Sequence, residues 1–597
     1  ALSGDDFLDE QLLALEAAQS ICSSARVLHW PLAFPQVFAS GGFDCVLGNP
    51  PWERIKLQEE EFFATRNRDI AAAKNKAERS QRIQWLAEGM LAKHLFPHHE
   101  HTPHECEAEL RLYAEFISTR RSAEATSVFV HVKGNEGGRY PLTGIGDVNT
   151  YALFAETISN ITHITGRAGF IVPTGIATDE STKAFFGDIT QQGRLVSLYD
   201  IENREKLFPS VDSRFKFCLL TLGQATAAEF VCFATQVNQL ADPRRRFTLT
   251  PEEFRLINPN TLTCPIFRSE RDAELTKKIY KATPVWVSEF DGLTDNQWGV
   301  DIKTRLFHMA EDSHLFVNES SSDATPLMEA KLVHIYDHRW ATYYADDQTR
   351  DISVDEKKDE GCLVRPRYWV SREELEIRAT SLSKEFCDAY RNKNHALLEK
   401  LLTECAPRKA GNGGDTLSMA RAQIKYNCPK IWLGWRKITN AANERTFVAF
   451  LTPFVAVGDS MYVVRLKESI DARLQAALYA NWSSLVFDWT VRQKIGGSNL
   501  SFYIVKQLPI FQSDRYCDLD LKFIVPRVLE LTYTAKDLEA WALDLGYSGQ
   551  PFEFNPDRRA MLIAELDAYY AMLYGLTRDE LCYILRSEER RVGKECR

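Results

Sequence analysis

Long hydrophobic runs are absent from this sequence, and their absence excludes a membrane-spanning segment. The apolar run at residues 217–220 is among the longest, whereas a helix needs about 20 apolar residues to cross a bilayer. Paired cysteine spacing is absent as well. The 13 cysteines are scattered along the chain, which argues against a disulfide framework and predicts a reducing, cytoplasmic compartment with no membrane association.

An excess of positive charge is also lacking. The chain has 72 lysines and arginines against 82 aspartates and glutamates, which gives a net charge of −10. This balance does not exclude nucleic acid as a partner, but any DNA-binding surface must then gather its positive charge locally. The apolar content of 45% is ordinary for a globular protein, and the length of 597 residues predicts several domains.

A recognisable metal-binding spacing is missing too. Five histidines and one cysteine crowd residues 94–106, a density that suggests zinc. Their spacing fits neither a zinc finger nor a catalytic zinc signature, and Pro97 and Pro103 indicate a loop. We therefore predict no metal site.

The most informative stretch is residues 43–52, Phe-Asp-Cys-Val-Leu-Gly-Asn-Pro-Pro-Trp. Residues 43–47 form a short apolar run of the kind typical of a buried parallel strand. Gly48 ends this strand, and Pro50 and Pro51 prevent its continuation as either strand or helix. A rigid loop is therefore predicted just past the carboxyl end of a core strand, where open α/β sheets bind their ligands.

The tetrapeptide Asn49-Pro50-Pro51-Trp52 resembles the catalytic Asn-Pro-Pro-aromatic motif of the adenine-N6 DNA methyltransferases, which use S-adenosylmethionine as cofactor. The resemblance implies that the Asn49 side-chain carbonyl and the Pro50 backbone carbonyl accept the two N–H bonds of the adenine amine. These contacts draw the nitrogen toward tetrahedral geometry and free its lone pair, and the fixed φ of proline aims the carbonyl in advance. The resemblance also implies that Trp52 stacks on a base flipped out of the duplex, and that Asn49 and Pro51 border the cofactor.

Later segments extend the resemblance. Residues 139–156 are similar to the helix that follows the catalytic loop in the adenine methyltransferases of restriction–modification systems, and residues 166–173 to the next strand. Residues 206–222 resemble the last hairpin of the family, in which Phe208 would pack against the flipped adenine.

The alternation of strands and helices predicts an α/β fold for residues 1–225. By resemblance, this region is a partial class I, Rossmann-like methyltransferase sheet, with a helical insertion at about 56–130.

The glycine-rich cofactor loop of this family precedes the catalytic motif, and residues 1–42 contain no such loop. We therefore expect the chain to be a fragment that lacks the N-terminal cofactor motifs, binds S-adenosylmethionine poorly and is inactive by itself. Residues 586–597 resemble the translation of a sequencing adapter, and we expect them to be foreign to the natural protein. No Pro-Asp…Asp/Glu-x-Lys nuclease signature stands out, so restriction activity stays open.

Beyond residue 225 we expect three further regions: a connecting mixed α/β region at 226–328, a mixed α+β DNA target-recognition domain at 329–512 and a helical C-terminal element at 513–585. Segments within 329–512 resemble the recognition domains of large single-chain restriction–modification methylases. Basic and polar side chains there suit contacts to phosphates and base edges. The candidate DNA-binding residues are Arg365, Arg367, Arg436, Lys437, Asn440, Asn443, Arg445, Lys494, Gly496, Gly497 and Asn499.

Taken together, the motifs resemble a type IIG-like adenine-N6 DNA methyltransferase, or a methylase of a BREX-like phage-exclusion system. The function implied is methylation of adenine N6 in double-stranded DNA by base flipping, with other subunits of such a system as candidate partners. Two alternatives stay open. A protein-glutamine N-methyltransferase uses the same tetrapeptide on an amide nitrogen, although it lacks a long recognition domain and favours Tyr over Trp, and a DNA-specificity subunit binds without catalysing.

Overall fold

The structure is a computed structural model that describes residues 9–595 except 25, 291, 345–346, 405–414, 442 and 496–497. The chain divides into two compact units. The first comprises Ala1–Phe254, Thr261–Cys264 and Arg268–Glu270, and the second comprises Arg255–Asn260, Pro265–Phe267 and Arg271–Arg597. None of the helices within the described ranges combines the length and the apolar character that a bilayer crossing requires.

A six-stranded mixed sheet forms the centre of the first unit. Its strands are β1 (Phe43–Gly48), β2 (Thr162–Pro173), β3 (Leu195–Glu202), β4 (Lys216–Leu222), β5 (Ala228–Ala234) and β6 (Arg246–Leu249). They lie in the order β1-β2-β4-β3-β5-β6. β1 is parallel to β2 and β3 is parallel to β5, whereas β4 lies antiparallel between β2 and β3. The predicted mixed α/β character is confirmed, and the sheet continues past residue 225 because β5 pairs with β3.

β1 lies at the edge of this sheet. Leu47 is 87% exposed, and Asp44 and Cys45 are exposed as well. The prediction of a buried strand is therefore wrong, although its parallel pairing is as expected. An apolar run identifies a strand, but burial depends on neighbours, and among the described residues only β2 pairs with β1.

Helices surround the sheet and form the insertion between β1 and β2. They are α1 (Asp9–Ser24), α2 (Trp30–Ala33), α3 (Pro35–Ala39), α4 (Glu59–Ala64), α5 (Arg68–Ala71), α6 (Lys76–Ala87), α7 (Leu91–Leu95), α8 (Pro103–Val130), α9 (Thr150–Ile161), α10 (Gly175–Thr178) and α11 (Lys183–Gln191). α8 begins with a capping box in which Thr102 and Glu105 exchange side-chain and backbone hydrogen bonds. The insertion has a small core of its own, in which Phe63 and Phe116 are fully buried.

The second unit contains several smaller sheets. Its strands are β7 (Ser288–Phe290), β8 (Leu293–Asp295), β9 (Asp301–Lys303), β10 (Ala324–Met328), β11 (Ala341–Tyr343), β12 (Thr349–Asp351), β13 (Tyr368–Ser371), β14 (Ile431–Arg436), β15 (Ala449–Pro453), β16 (Ala456–Val457) and β17 (Met461–Arg465). The larger sheets have the orders β15-β14-β17-β9 and β13-β10-β16, and β7-β8 and β11-β12 are hairpins.

Helices follow these strands and dominate the C-terminal part. They are α12 (Pro251–Ile257), which begins in the first unit, α13 (Glu270–Ala282), α14 (Val354–Lys357), α15 (Arg372–Ala379), α16 (Lys384–Arg391), α17 (His395–Glu404), α18 (Thr416–Tyr426), α19 (Ala472–Ser483), α20 (Leu485–Arg492), α21 (Phe502–Lys506), α22 (Asp518–Thr532), α23 (Glu539–Asp544), α24 (Pro556–Leu573) and α25 (Arg578–Glu595). Their core is aromatic: Trp286 and Trp482 are fully buried and lie edge to face, with ring centroids 5.2 Å apart.

Arg339 ties several segments of the second unit together. Its guanidinium is fully buried and donates to the carbonyls of Lys357, Asp359, Cys362 and Thr534, each within 2.9 Å. Arg339 thus serves as an internal structural contact, since a buried charge requires such partners. It does so although it lies in a segment that resembles a DNA-recognition domain.

Candidate active site

The turn at residues 49–52 begins directly after β1, as predicted. Gly48, the last residue of β1, pairs with Phe170 of β2, so the turn lies at the carboxyl end of two parallel strands. Asn49 is exposed and Pro50 is buried. The side-chain amide of Asn49 is therefore accessible from solvent, while packing fixes the backbone that follows it.

Trp52 anchors the end of the turn to the sheet. Its indole is half-buried, and Nε1 donates to the carbonyl of Ile171 in β2 over 3.3 Å. Because β2 is an inner strand, this contact fixes the turn relative to the rigid part of the sheet.

Thr150 clamps the turn from the other side. Its hydroxyl donates to the carbonyl of Pro51 over 2.8 Å and accepts from the N–H of Glu53 over 3.1 Å. The backbone N–H of Thr150 in turn donates to the carbonyl of Glu53 over 2.8 Å. The first residue of α9 thus holds the backbone of the motif from across about a hundred residues of sequence.

Aromatic rings gather around Trp52. Phe208 lies edge to face against it with ring centroids 5.6 Å apart, and Phe215 lies parallel to it at 5.7 Å. Phe217 of β4 packs edge-on against Phe208 at 4.9 Å. The two residues that the resemblance assigns to base stacking, Trp52 and Phe208, are thus brought into contact.

Asn203 holds the loop that presents Phe208. It is fully buried, and its side-chain amide donates to the carbonyls of Phe208 and Val211 over 2.9 and 3.0 Å. Its side-chain oxygen accepts from the Phe208 N–H over 3.0 Å. This arrangement closes the loop and fixes the backbone at Phe208.

A cavity of about 1010 Å³ opens beside Trp52. It lies between the sheet and the helical insertion, both of which contribute to its walls. Its lining includes Trp52, Phe62, Ser122, Tyr151, Gly175 and Phe215. Its volume is at the upper end of the range that is typical of small-molecule sites.

Exposed polar side chains in the second unit include several of the predicted DNA-binding residues. Arg365, Asn440, Asn443 and Asn499 are exposed. Arg367 is exposed too, and its guanidinium lies 3.1 Å from the carboxylate of Asp347.

Three predicted DNA-binding residues face inward instead. The Lys494 ammonium donates to the carbonyls of Ile257 and Gln507. Arg436 donates to the carbonyl of Val333, and burial lowers its pKa to about 10. Arg445 lies 3.8 Å from the carboxylate of Asp567, with a side chain that is only 17% exposed. These side chains are directed into the unit, so we remove them from the DNA-binding surface.

The other predictions for this region have mixed placements. Lys437 is half-buried, with its ammonium 5.9 Å from the ring of Tyr462. Gly496 and Gly497 lie outside the described residues.

In the histidine-rich segment, His94 stacks on Trp85, and no three metal-ligating side chains converge anywhere in the described ranges.

Residues 5–84 match the family model of the Eco57I restriction-modification methylase. This segment includes β1 and the turn at residues 49–52, and the match confirms the predicted resemblance to restriction–modification methylases there. No curated protein sequence matches the chain.

Solved structures give weaker similarities. The chain is similar to the type IIG restriction endonuclease BpuSI at 11% identity, covering 77% of this chain and 52% of that one, with a TM-score of 0.25. For the type IIL restriction-modification enzyme MmeI, solved in complex with DNA, the identity is 9%, the coverages are 75% and 53%, and the TM-score is 0.31. The chain thus spans about half the length of these enzymes, and at such TM-scores the matches add nothing to the fold assignment.

Four residues of the candidate site escaped the sequence analysis: Thr150, Tyr151, Asn203 and Phe215. Thr150 and Tyr151 begin a helix that the sequence indicated. Their position in its first turn was the available signal that their side chains reach the motif. Asn203 and Phe215 carry no comparable local signal, because their roles depend on how the hairpin folds back.

Proposed function

We propose that this chain supplies the target-base side of a type IIG-like adenine-N6 DNA methyltransferase, acting on double-stranded DNA in a restriction–modification or phage-exclusion system. The observation that carries the proposal is the placement of Asn49. Its amide is exposed at the carboxyl end of β1, on a turn held by Thr150 and Trp52. A cavity of about 1010 Å³ lies beside that turn.

The chemistry assigned to the turn is activation of a weak nucleophile. The lone pair of the adenine amine is delocalised into the ring. The side-chain carbonyl of Asn49 and the backbone carbonyl of Pro50 accept the two N–H bonds, which returns the lone pair to the nitrogen. Pro50 is buried and has a fixed φ, so its carbonyl is aimed before the substrate binds and little reorganisation is needed.

S-adenosylmethionine supplies the methyl group in this chemistry. Asn49 and Pro51 are assigned to the border of its site. They follow an edge strand whose Leu47 is 87% exposed. These residues do not enclose a methyl donor. We therefore assign no further residue of this chain to the cofactor.

The target base must leave the duplex to reach the turn. Trp52 and Phe208 are assigned to its stacking. Their mutual contact supports this role, and Trp52 lines the cavity. In the second unit, the exposed side chains of Arg365, Arg367 and the asparagine residues 440, 443 and 499 are assigned to DNA phosphates and base edges. Lys437 is assigned to the same contacts with DNA.

The test compares the full-length protein with Asn49→Ala. Methylated sites are located by single-molecule sequencing of DNA from cells that express each form. Loss of the Asn49 acceptor is expected to lower transfer by about 10²-fold or more, while binding to DNA is unchanged. Asn160→Ala, on the exposed side of α9, is the matched control.

Assays of protein methylation and of DNA binding with the same proteins identify the alternatives. Transfer to glutamine in protein, with none to DNA, would identify a protein-glutamine methyltransferase. DNA binding without any transfer by the unmodified protein would identify a specificity subunit. Either result refutes the proposal.

A further inference from the structure

Tyr151 is a buried tyrosine whose hydroxyl has no protein partner. The residue is only 5% exposed, and it lines the cavity beside Trp52. Among the described residues no group forms a hydrogen bond with its hydroxyl. Because the residue lines the cavity, this hydroxyl is available to a group that enters it.

A glycine lies close to this hydroxyl. Gly175, at the start of α10, lies opposite, and a Cβ on it would sit 3.2 Å from the Tyr151 hydroxyl oxygen and would clash with the Asp179 carboxylate. The carbonyl of Gly175 accepts from the Thr182 hydroxyl over 2.7 Å, which fixes its backbone. A side chain at this position would displace the Asp179 carboxylate and crowd the Tyr151 hydroxyl.

Tyr151 is also held in register with the catalytic turn. It directly follows Thr150, whose hydroxyl donates to the carbonyl of Pro51. One turn of helix therefore fixes both the motif and the phenol. Burial, together with the nearby Asp179 carboxylate, raises the pKa of Tyr151, so the hydroxyl keeps its proton and can donate.

An everted adenine needs such a donor. Once Asn49 and Pro50 have accepted both hydrogens of the exocyclic amine, the polar groups that remain on the ring are the acceptors N1, N3 and N7. A ring nitrogen that is removed from water without a donor carries a desolvation cost. The phenol is a hydrogen-bond donor that opens on the same cavity as Trp52.

We propose that the Tyr151 hydroxyl donates a hydrogen bond to a ring nitrogen of the flipped adenine, and so acts as a base-positioning residue beyond the Asn-Pro-Pro-Trp motif. This inference rests on the proposed function. Through this contact the site recognises the adenine ring as well as its exocyclic amine.

The test is a double-mutant cycle between the protein and the base. Full-length protein and Tyr151→Phe are assayed on duplexes that carry the mapped methylation site with adenine, 1-deazaadenine, 3-deazaadenine or 7-deazaadenine at the target. The unmodified protein is expected to lose roughly 10-fold in kcat/KM on one of the three analogues. Tyr151→Phe is expected to lose roughly 10-fold on adenine and nothing further on that analogue.

A readout independent of transfer is the fluorescence of 2-aminopurine placed at the target, which should be lower with Tyr151→Phe than with the unmodified protein. Tyr140→Phe removes a hydroxyl from the same unit outside the cavity lining and should behave as unmodified. The inference is overturned if Tyr151→Phe is fully active, or if it loses the same factor on every analogue. Absence of adenine methylation by the unmodified protein would instead refute the proposed function itself.

Discussion

The ring of Phe215 lies parallel to the indole of Trp52, with the centroids 5.7 Å and the planes 13° apart. One face of the tryptophan is therefore already stacked by a protein side chain. Phe215 itself is 39% exposed and lines the cavity. Under the proposed function, the exposed surface of Phe215 is therefore a further candidate stacking surface for the target base.

Base extrusion is expected to depend on this cluster. Trp52→Ala, Phe208→Ala and Phe215→Ala should each reduce the fluorescence of 2-aminopurine at the target, because each stacking contact contributes about 1–3 kcal/mol per base. Phe129→Ala, an exposed phenylalanine on α8, is the control and should leave the signal unchanged. An unaltered signal in both Trp52→Ala and Phe208→Ala would refute the assigned stacking role.

The clamp by Thr150 gives a separate prediction about geometry. Thr150→Val removes the donor to the Pro51 carbonyl and the acceptor for the Glu53 N–H. We expect kcat to fall by about 10- to 100-fold with little change in KM, since small displacements of a catalytic group are costly. Thr150→Ser keeps the hydroxyl and should restore most of kcat. Equal losses in the two variants would show that keeping the hydroxyl does not preserve kcat, and would contradict the role assigned to its hydrogen bonds.

Local features were predictable from the sequence, and long-range ones were not. Gly48 and the two prolines specify a strand end and a rigid turn through their own backbone preferences, and the structure has both. The exposure of Leu47 depends on which strands flank β1, which no pattern within residues 43–47 encodes. The inward direction of Lys494 depends on the carbonyl of Ile257, 237 residues away in the chain.

DNA affinity should fall steeply with salt, because contacts to phosphates supply much of the binding free energy. Arg365→Ala and Arg367→Ala should each lower the slope of log K against log salt by about 1. Arg436→Met should leave this slope unchanged, since its guanidinium donates to the Val333 carbonyl inside the unit. Fluorescence anisotropy of a labelled duplex measures all three, and a flat titration of the unmodified protein would contradict the assignment of DNA as partner.

His334 should make the second unit sensitive to acid. Burial, with a smaller contribution from the Arg436 charge, lowers the pKa of His334 to about 4, and its ring stacks on Trp340 with centroids 4.5 Å apart. The unfolded chain binds this proton near pH 6.5. Stability is therefore full above pH 6.5 and falls as pH drops toward 4, by up to about 3 kcal/mol.

Urea unfolding at pH 7 and pH 5 tests this expectation. His334→Gln should reduce the difference in unfolding free energy between the two pH values. His314→Gln, at an exposed position in the same unit, should not. A pH dependence identical in all three proteins would assign the acid sensitivity to other groups.

Within the part of the chain that the structure describes, one side of β1 has no partner strand, and this has a practical consequence for handling the polypeptide. The backbone amide and carbonyl groups along this side of β1 can pair with an extended peptide, and the exposed side chain of Leu47 lies beside them. Concentrated preparations are therefore prone to edge-to-edge association. A short peptide that adds one strand there would act as a solubilising cap.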